Sequence, residues 1–143
     1  APYWNANARG VLSGLTRDTG PKEITRAIIE SVAYQTYDLF EAMKHDGLRP
    51  KIVKVDGGMV MNNWFAQFLS DIVNVKVLRP KVQETTALGV AFMAGLQIGI
   101  YKSLKDISKK WFIGKKFSPK MNNNNRKNLI NGWEKTIKRT LIN

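Results

Sequence analysis

Apolar residues recur at helical spacing in four stretches of this chain and at strand spacing in two shorter ones. Ile24, Ala27, Ile28, Val32, Leu39 and Met43 form one stripe, and Ile29, Ala33, Tyr37 and Phe40 a second beside it. Steps of three, four and seven put each set on one face of a helix. Two adjoining stripes make a broad apolar face, which predicts deep burial. Gly20-Pro21 marks the start, with Pro at the first helical position and Glu23 in the first turn. Gly47 ends the helix and Pro50 prevents its continuation.

The segment 51–56 is rich in β-branched residues and reads as a strand, ended by Gly57-Gly58. The pairs Trp64/Phe65, Phe68/Leu69 and Ile72/Val73 then follow one turn apart. They predict a second helix, with Asn62 or Asn63 as its N-cap. Val75-Lys76-Val77-Leu78 predicts a second strand, stopped by Pro80. Thr85 or Thr86 is placed to cap a third helix. The uncharged run from Ala87 to Tyr101 carries small residues among large apolar ones and reads as a buried helix. It is shorter than the roughly 17–25 residues that span a bilayer, so no membrane span is expected. A final helix near 125–142 would carry Leu129, Ile130, Trp133, Ile137 and Leu141 on one side, after an Asn122–Asn125 loop. Residues 1–18 read as loop and short strand, with Arg9 to Leu15 suiting a strand end or tight turn.

Strands joined by helices predict an α/β fold with parallel pairing. Only two or three strands are visible. So narrow a sheet is hard to cover on both faces, and it is expected to continue in chain outside this sequence. The opening Ala1-Pro2-Tyr3-Trp4 reads the same way.

Charge divides the chain unevenly. Residues 1–101 hold 11 basic and 9 acidic side chains, whereas residues 102–143 hold 12 basic and 2 acidic. A basic tail suits nucleic acid or an acidic surface. No zinc-finger spacing, aromatic RNA-binding pattern or basic heptad array accompanies it, so a solvated lysine face is the adopted reading and nucleic acid is not expected as a partner. Cysteine is absent, which excludes a disulfide framework, a thiolate zinc site and a thiol nucleophile. A cytoplasmic location fits that absence.

The stretch from Val55 to Asn63 carries the most chemistry. A strand delivers Gly57-Gly58 to its C-terminal end and a helix begins shortly after, the edge where open α/β sheets bind ligands. Without a Cβ, glycine lets a phosphate or ribose approach the backbone. Helix N-terminal N–H groups favour an anion, and the Asn62 amide could read an adenine edge. A tight turn with an Asn cap explains the same residues equally well. Elsewhere, Glu84-Thr85-Thr86 could reach a nucleotide, although capping is the simpler role. Arg9 and Arg17 are surface arginines that could meet phosphate. His45, the sole histidine, reads as a C-terminal helix residue. Trp4, Trp64, Trp111 and Trp133 read as core or interface anchors. No nucleophile with its base and no metal cluster stands out, so the catalytic and metal assignments are both none.

These residues resemble a known family. Gly10-x-Leu12-x-Gly14-Leu15, seven residues, and then Glu23-Ile24-x-x-Ala27-Ile28-Ile29-Glu30 is similar to a signature of the FGGY carbohydrate kinases. Val55-Asp56-Gly57-Gly58 with Asn62-Asn63 resembles their adenosine-binding turn. Arg79-Pro80-x-x-x-Glu84-Thr85-Thr86-Ala87-Leu88-Gly89 resembles the strand and helix that follow, in a form typical of the glycerol kinases. Asn5-Ala6-Asn7 departs from the family's Asp-Pro-Tyr, and the Asn122–Asn125 tract departs as well.

The resemblance implies a ribonuclease-H-like, actin-like ATPase fold, of which this chain is the C-terminal portion of one lobe, with helices on a small, mainly parallel sheet. Residues 1–118 would be lobe and 119–143 an Asn-rich loop and basic helix. It implies an ATP-dependent kinase phosphorylating glycerol, with cofactor contacts at Gly57, Gly58 and Asn62. Catalytic base, glycerol pocket and Mg²⁺ site would lie N-terminal to Ala1. Partners would be ATP, glycerol and the remainder of the kinase, with a homo-oligomer left open. The alternatives are another FGGY sugar or polyol kinase and a non-enzymatic basic binding module.

Overall fold

The computed structural model describes residues 2–142; Ala1, with which the family-like loop opens, and Asn143 lie outside them. Five helices and three strands follow in the order α1 (Pro21–His45), β1 (Ile52–Lys54), α2 (Asn63–Val73), β2 (Lys76–Pro80), α3 (Thr85–Gln97), α4 (Leu104–Ser108), β3 (Ile113–Phe117) and α5 (Asn123–Leu141). A short 3-10 helix, Gly58–Met61, links β1 to α2. The sheet order is β1-β2-β3. β1 runs parallel to β2, with Val53 opposite Val77, as strands joined through a helix should.

β3 was not expected, and it makes the sheet mixed. It lies antiparallel to β2, with Val77 opposite Phe117. Its sequence, Ile-Gly-Lys-Lys-Phe, has little strand character of its own, and only Phe117 is buried. The pairing partner therefore makes the strand. Pro80 does not stop β2 but forms its last residue, at a register shift between Arg79 and Pro80. A residue without an N–H is tolerated where the ladder is already broken.

The core gathers around α2, whose Phe65, Phe68, Leu69 and Ile72 pack against Tyr34 and Phe40 of α1 and against Val77 and Phe117 of the sheet. Asn62 caps α2 as expected: its Oδ1 accepts from the N–H groups of Trp64 and Phe65 at 2.9 and 3.3 Å. α5 closes over α1. The Trp133 ring stacks on Tyr34 with centroids 5.4 Å apart, and its Nε1 donates to Asp38 Oδ2 at 2.8 Å. Arg126 Nε donates to the Ile72 carbonyl at 2.8 Å, tying α5 to the end of α2. Asp71 Oδ1 collects the backbone N–H groups of Lys120 and Met121 at 2.6 and 3.2 Å and Gln67 Nε2 at 3.0 Å. One buried carboxylate thus fixes the chain between β3 and α5.

Several sequence expectations are corrected. The first stripe of α1 is not deeply buried, since Ile28 is 58% and Leu39 42% exposed; the helix buries Ala33, Tyr34, Asp38 and Phe40. Only one side of α1 has α2 and α5 to pack on. Asn122–Asn125 is not a loop: Asn122 Oδ1 accepts from Asn125 N–H at 2.9 Å and the next three residues form the first turn of α5. Asn is among the best N-cap residues, so a run of Asn can start a helix. No strand forms within residues 2–20. Trp4 is 85% exposed and anchors no core.

The largest correction concerns α3. Only Gly95 of this helix is buried, held under the Tyr101 ring, which Phe92 meets edge-on at 5.5 Å. Val90 and Met93, with Ile98 and Ile100 just beyond, are all at least half exposed. Apolar composition shows what a helix would bury, but burial needs a surface to pack on. Among the described residues little of the chain reaches that face.

Asp38 offers a pH test of the α1–α5 contact. Burial raises its pKa, opposed by the Trp133 hydrogen bond and reinforced by Glu134 and Glu41. A carboxyl whose folded pKa is raised stabilises the fold most below its unfolded value, about pH 4, and that contribution is lost as pH rises through the folded pKa. Asp38→Asn keeps an oxygen for Trp133 and carries no charge. Its Tm should match or exceed that of the parent at pH 7, and the gap should narrow toward pH 4. A lower Tm for the variant at pH 7, growing with pH, would contradict this reading.

Candidate functional site

The parallel pairing of β1 and β2 runs one residue past β1, where Val55 N–H donates to the Leu78 carbonyl at 3.0 Å. The backbone then turns sharply. Gly57 has φ 89 and ψ 173, a conformation essentially closed to other residues. Gly58 has no such constraint: its φ is not positive, and a Cβ there would meet nothing within 4 Å. Neither backbone geometry nor packing within this chain requires glycine at 58, and the turn faces open space.

The 3-10 helix carries the chain from that turn to Asn62, which is exposed. Its side-chain oxygen is taken up by the α2 cap, whereas its amide nitrogen makes no hydrogen bond among the described residues and remains a donor. Arg79 of β2 reaches across to the same segment. Its Nη1 donates to the carbonyls of Val60 and Met61 at 2.7 and 3.0 Å, and its Nη2 to Asn63 Oδ1 at 3.1 Å.

A polar cavity of about 360 Å³ opens between this turn and the start of α3, lined by Asp56, Gly57, Gly58, Glu84, Thr85 and Thr86. Neither threonine caps the helix as the sequence suggested. Glu84 occupies the N-cap position without a side-chain cap bond, because the helical ladder already begins at the Leu88 N–H to Glu84 carbonyl contact of 3.0 Å. Thr85 and Thr86 are therefore first-turn residues bordering the cavity. A second cleft, of about 420 Å³, shares Asp56 and Thr85 with it and is walled by Leu88, Phe92 and Trp111. Lys54 Nζ sits 4.1 Å from the centroid of the Trp111 ring. A polar recess beside an apolar slot suits a ligand with a charged or hydroxylated part and a flat apolar part.

The structure thus brings Gly57, Gly58 and Glu84-Thr85-Thr86 together, with Asn62 following at the head of α2. Arg9, Arg17 and His45 do not line either cavity. Arg9 donates to the carbonyls of Asn7 and Ala8 in its own loop, and His45 lies in the last turn of α1. Among the described residues no three His, Cys, Asp or Glu side chains converge to hold a metal ion, and no helix is long and apolar enough to cross a membrane. Sequence reasoning missed Arg79 as part of this region, because its contacts span 16 to 19 positions.

Residues 1–98 match the FGGY family of carbohydrate kinases, C-terminal domain. The chain belongs to that family. Among curated members it is 54% identical to glycerol kinase 1 of Pseudomonas aeruginosa over 97% of its own length, and 49% identical to the glycerol kinase of Gluconobacter oxydans over 99%. It spans 28% of the length of each. Among solved structures, Plasmodium falciparum glycerol kinase with ADP superposes on the whole chain with a TM-score of 0.85 at 36% identity, the chain covering 29% of it. Ligand-bound xylulose kinase from Lactobacillus acidophilus matches 92% of the chain with a TM-score of 0.71 at 28% identity, the chain covering 26% of it. The FGGY kinases thus share the fold, and the expectation of an actin-like α/β unit with a small sheet holds.

Proposed function

We propose that this chain is the C-terminal part of a glycerol kinase and supplies the adenosine side of its ATP site. The parent enzyme transfers the γ-phosphoryl group of ATP to glycerol, giving glycerol 3-phosphate and ADP. The carrying observation is Gly58: neither its backbone conformation nor any neighbour among the described residues requires glycine there, yet a residue without a side chain stands beside a polar cavity. A Cβ at 58 would project toward the space that a ribose and phosphate would occupy. Asn62 lines neither cavity but is exposed, with its amide N–H groups unbonded among the described residues. The first turn of α3 borders the polar recess, where helix N-terminal N–H groups favour an anion. The ADP named with the Plasmodium falciparum structure supports a nucleotide for this fold.

In phosphoryl transfer the protein mainly positions groups and offsets charge. The residues here would orient the base and sugar and hold the helix start toward the phosphates. A divalent metal ion would supply offsetting charge at the phosphates; none of its ligands is assigned to this chain. The higher identity to glycerol kinases than to xylulose kinase favours glycerol as acceptor, and the cytoplasm as compartment goes with that assignment.

The test is a chimaera in which this chain replaces the matched segment of the Pseudomonas aeruginosa enzyme. It should show glycerol-dependent ADP release, whereas the 143-residue chain alone should show none. Asn62→Ala in the chimaera removes the amide donor together with the α2 cap and should raise the KM for ATP about tenfold or more, with the KM for glycerol unchanged. A rise confined to glycerol would remove Asn62 from the nucleotide site.

A further inference from the structure

The segment between the 3-10 helix and α2 has an unusual hydrogen-bond economy. In a continuous helix the N–H groups of Trp64 and Phe65 would reach back to the carbonyls of Val60 and Met61. Here both donors are taken by Asn62 Oδ1. The 3-10 helix closes with Asn62 N–H on the Met59 carbonyl, and the α2 ladder opens with Ala66 N–H on the Asn62 carbonyl. The carbonyls of Val60 and Met61 fall between these two ladders. Arg79 Nη1 donates to both, and its Nη2 holds Asn63 Oδ1.

We propose that Arg79 is the positioning residue of the nucleotide-facing turn. Asn62 frees two carbonyls by capping α2, and Arg79 takes them up. The pair fixes where the 3-10 helix ends and α2 begins, and hence where Gly58 and the Asn62 amide sit. The guanidinium is suited to this because its planar fork presents several donors in fixed directions and stays protonated. It is half-buried, with its carbon 5.7 Å from the Phe117 ring centroid, so the aromatic ring of β3 supports its orientation. A lysine ammonium could take the place of Nη1 at the carbonyls, but with no second nitrogen it could not hold the Asn63 side chain in the same fixed fork. This inference rests on the nucleotide reading of the turn for its functional part and on the hydrogen bonds alone for its structural part.

Two measurements separate these parts. The first uses amide hydrogen exchange on the isotope-labelled full chain. Arg79→Ala and Arg79→Lys should each speed exchange at Asn62, Trp64 and Phe65 at least tenfold, with exchange at Ile72 and Val73 unchanged. Equal rates at Asn62, Trp64 and Phe65 in the parent and both variants would overturn the proposal. So would a uniform rise that includes Ile72 and Val73 in the Lys variant, which would mark Arg79 as a general stabiliser. The second measurement uses the chimaera. Arg79→Lys should raise the KM for ATP about fivefold or more, with the KM for glycerol unchanged. If ATP kinetics are unaffected while exchange at the turn is accelerated, the nucleotide reading of the turn fails and the structural role of Arg79 stands. If Asn62→Ala raises the KM for ATP and Arg79→Lys does not, the positioning role fails and the nucleotide reading stands.

Discussion

Gly57→Val should disrupt the turn and, on the proposed reading, weaken ATP use by the parent enzyme. At φ 89 and ψ 173 the backbone lies in a region open essentially to glycine. Holding another residue there costs about 1–3 kcal/mol, and a β-branched side chain belongs at the upper end. The alternative is for the turn to relax, which carries Gly58 and the start of the 3-10 helix away from the cavity at Glu84-Thr85-Thr86. Urea denaturation should show a loss of that size, and the chimaera should lose at least tenfold in kcat/KM for ATP. Gly58→Ala gives the contrasting result. A Cβ at 58 meets nothing in this chain, so stability should hold within about 0.5 kcal/mol, while kcat/KM for ATP falls about tenfold. If Gly58→Ala leaves ATP kinetics intact, the space beside that residue is not where the nucleotide lies.

The second large effect is expected at Asp71→Ala. This carboxylate is 8% exposed and accepts three hydrogen bonds, two from the backbone of Lys120 and Met121 and one from Gln67. Its removal leaves these donors short of a partner where the chain leaves β3 for α5. Hydrogen bonds to a charged group contribute about 1.5–3 kcal/mol each, but they are not additive, and Gln67 keeps its bond to the Ser118 carbonyl. A total loss of about 3–4 kcal/mol is expected, a large share of the roughly 5–15 kcal/mol that holds a typical domain. Asp71→Asn retains one acceptor and should lose about half as much. A loss below about 1 kcal/mol for the alanine variant would mean that the Lys120–Met121 segment is held by its other contacts.

Local signals were legible wherever a single residue type decides the backbone. Gly20-Pro21 places the start of α1, Asn62 the start of α2, and Gly57-Gly58 the end of the first strand, because each relies on chemistry within a few positions. The three cofactor-contact candidates were singled out by the same kind of signal. What was not legible depends on partners distant in sequence. β3 is a strand because β2 lies beside it, not because Ile-Gly-Lys-Lys-Phe favours one. Arg79 meets the turn only after β2 has folded next to β1. The threonines at 85 and 86 border a cavity rather than cap a helix because α3 begins one residue sooner than their side chains suggest. Burial of α3 was misjudged for the same reason, since periodicity does not say whether a facing surface exists.

That bare helix has a cellular consequence. Chaperones and proteases recognise apolar segments left uncovered, and new chains are most vulnerable before such segments find their place. Val90, Met93, Ile98 and Ile100 make α3 a conspicuous segment of that kind. On the proposed reading the remainder of the kinase supplies that cover, so a copy of this unit made without it would present α3 to chaperones and proteases alike.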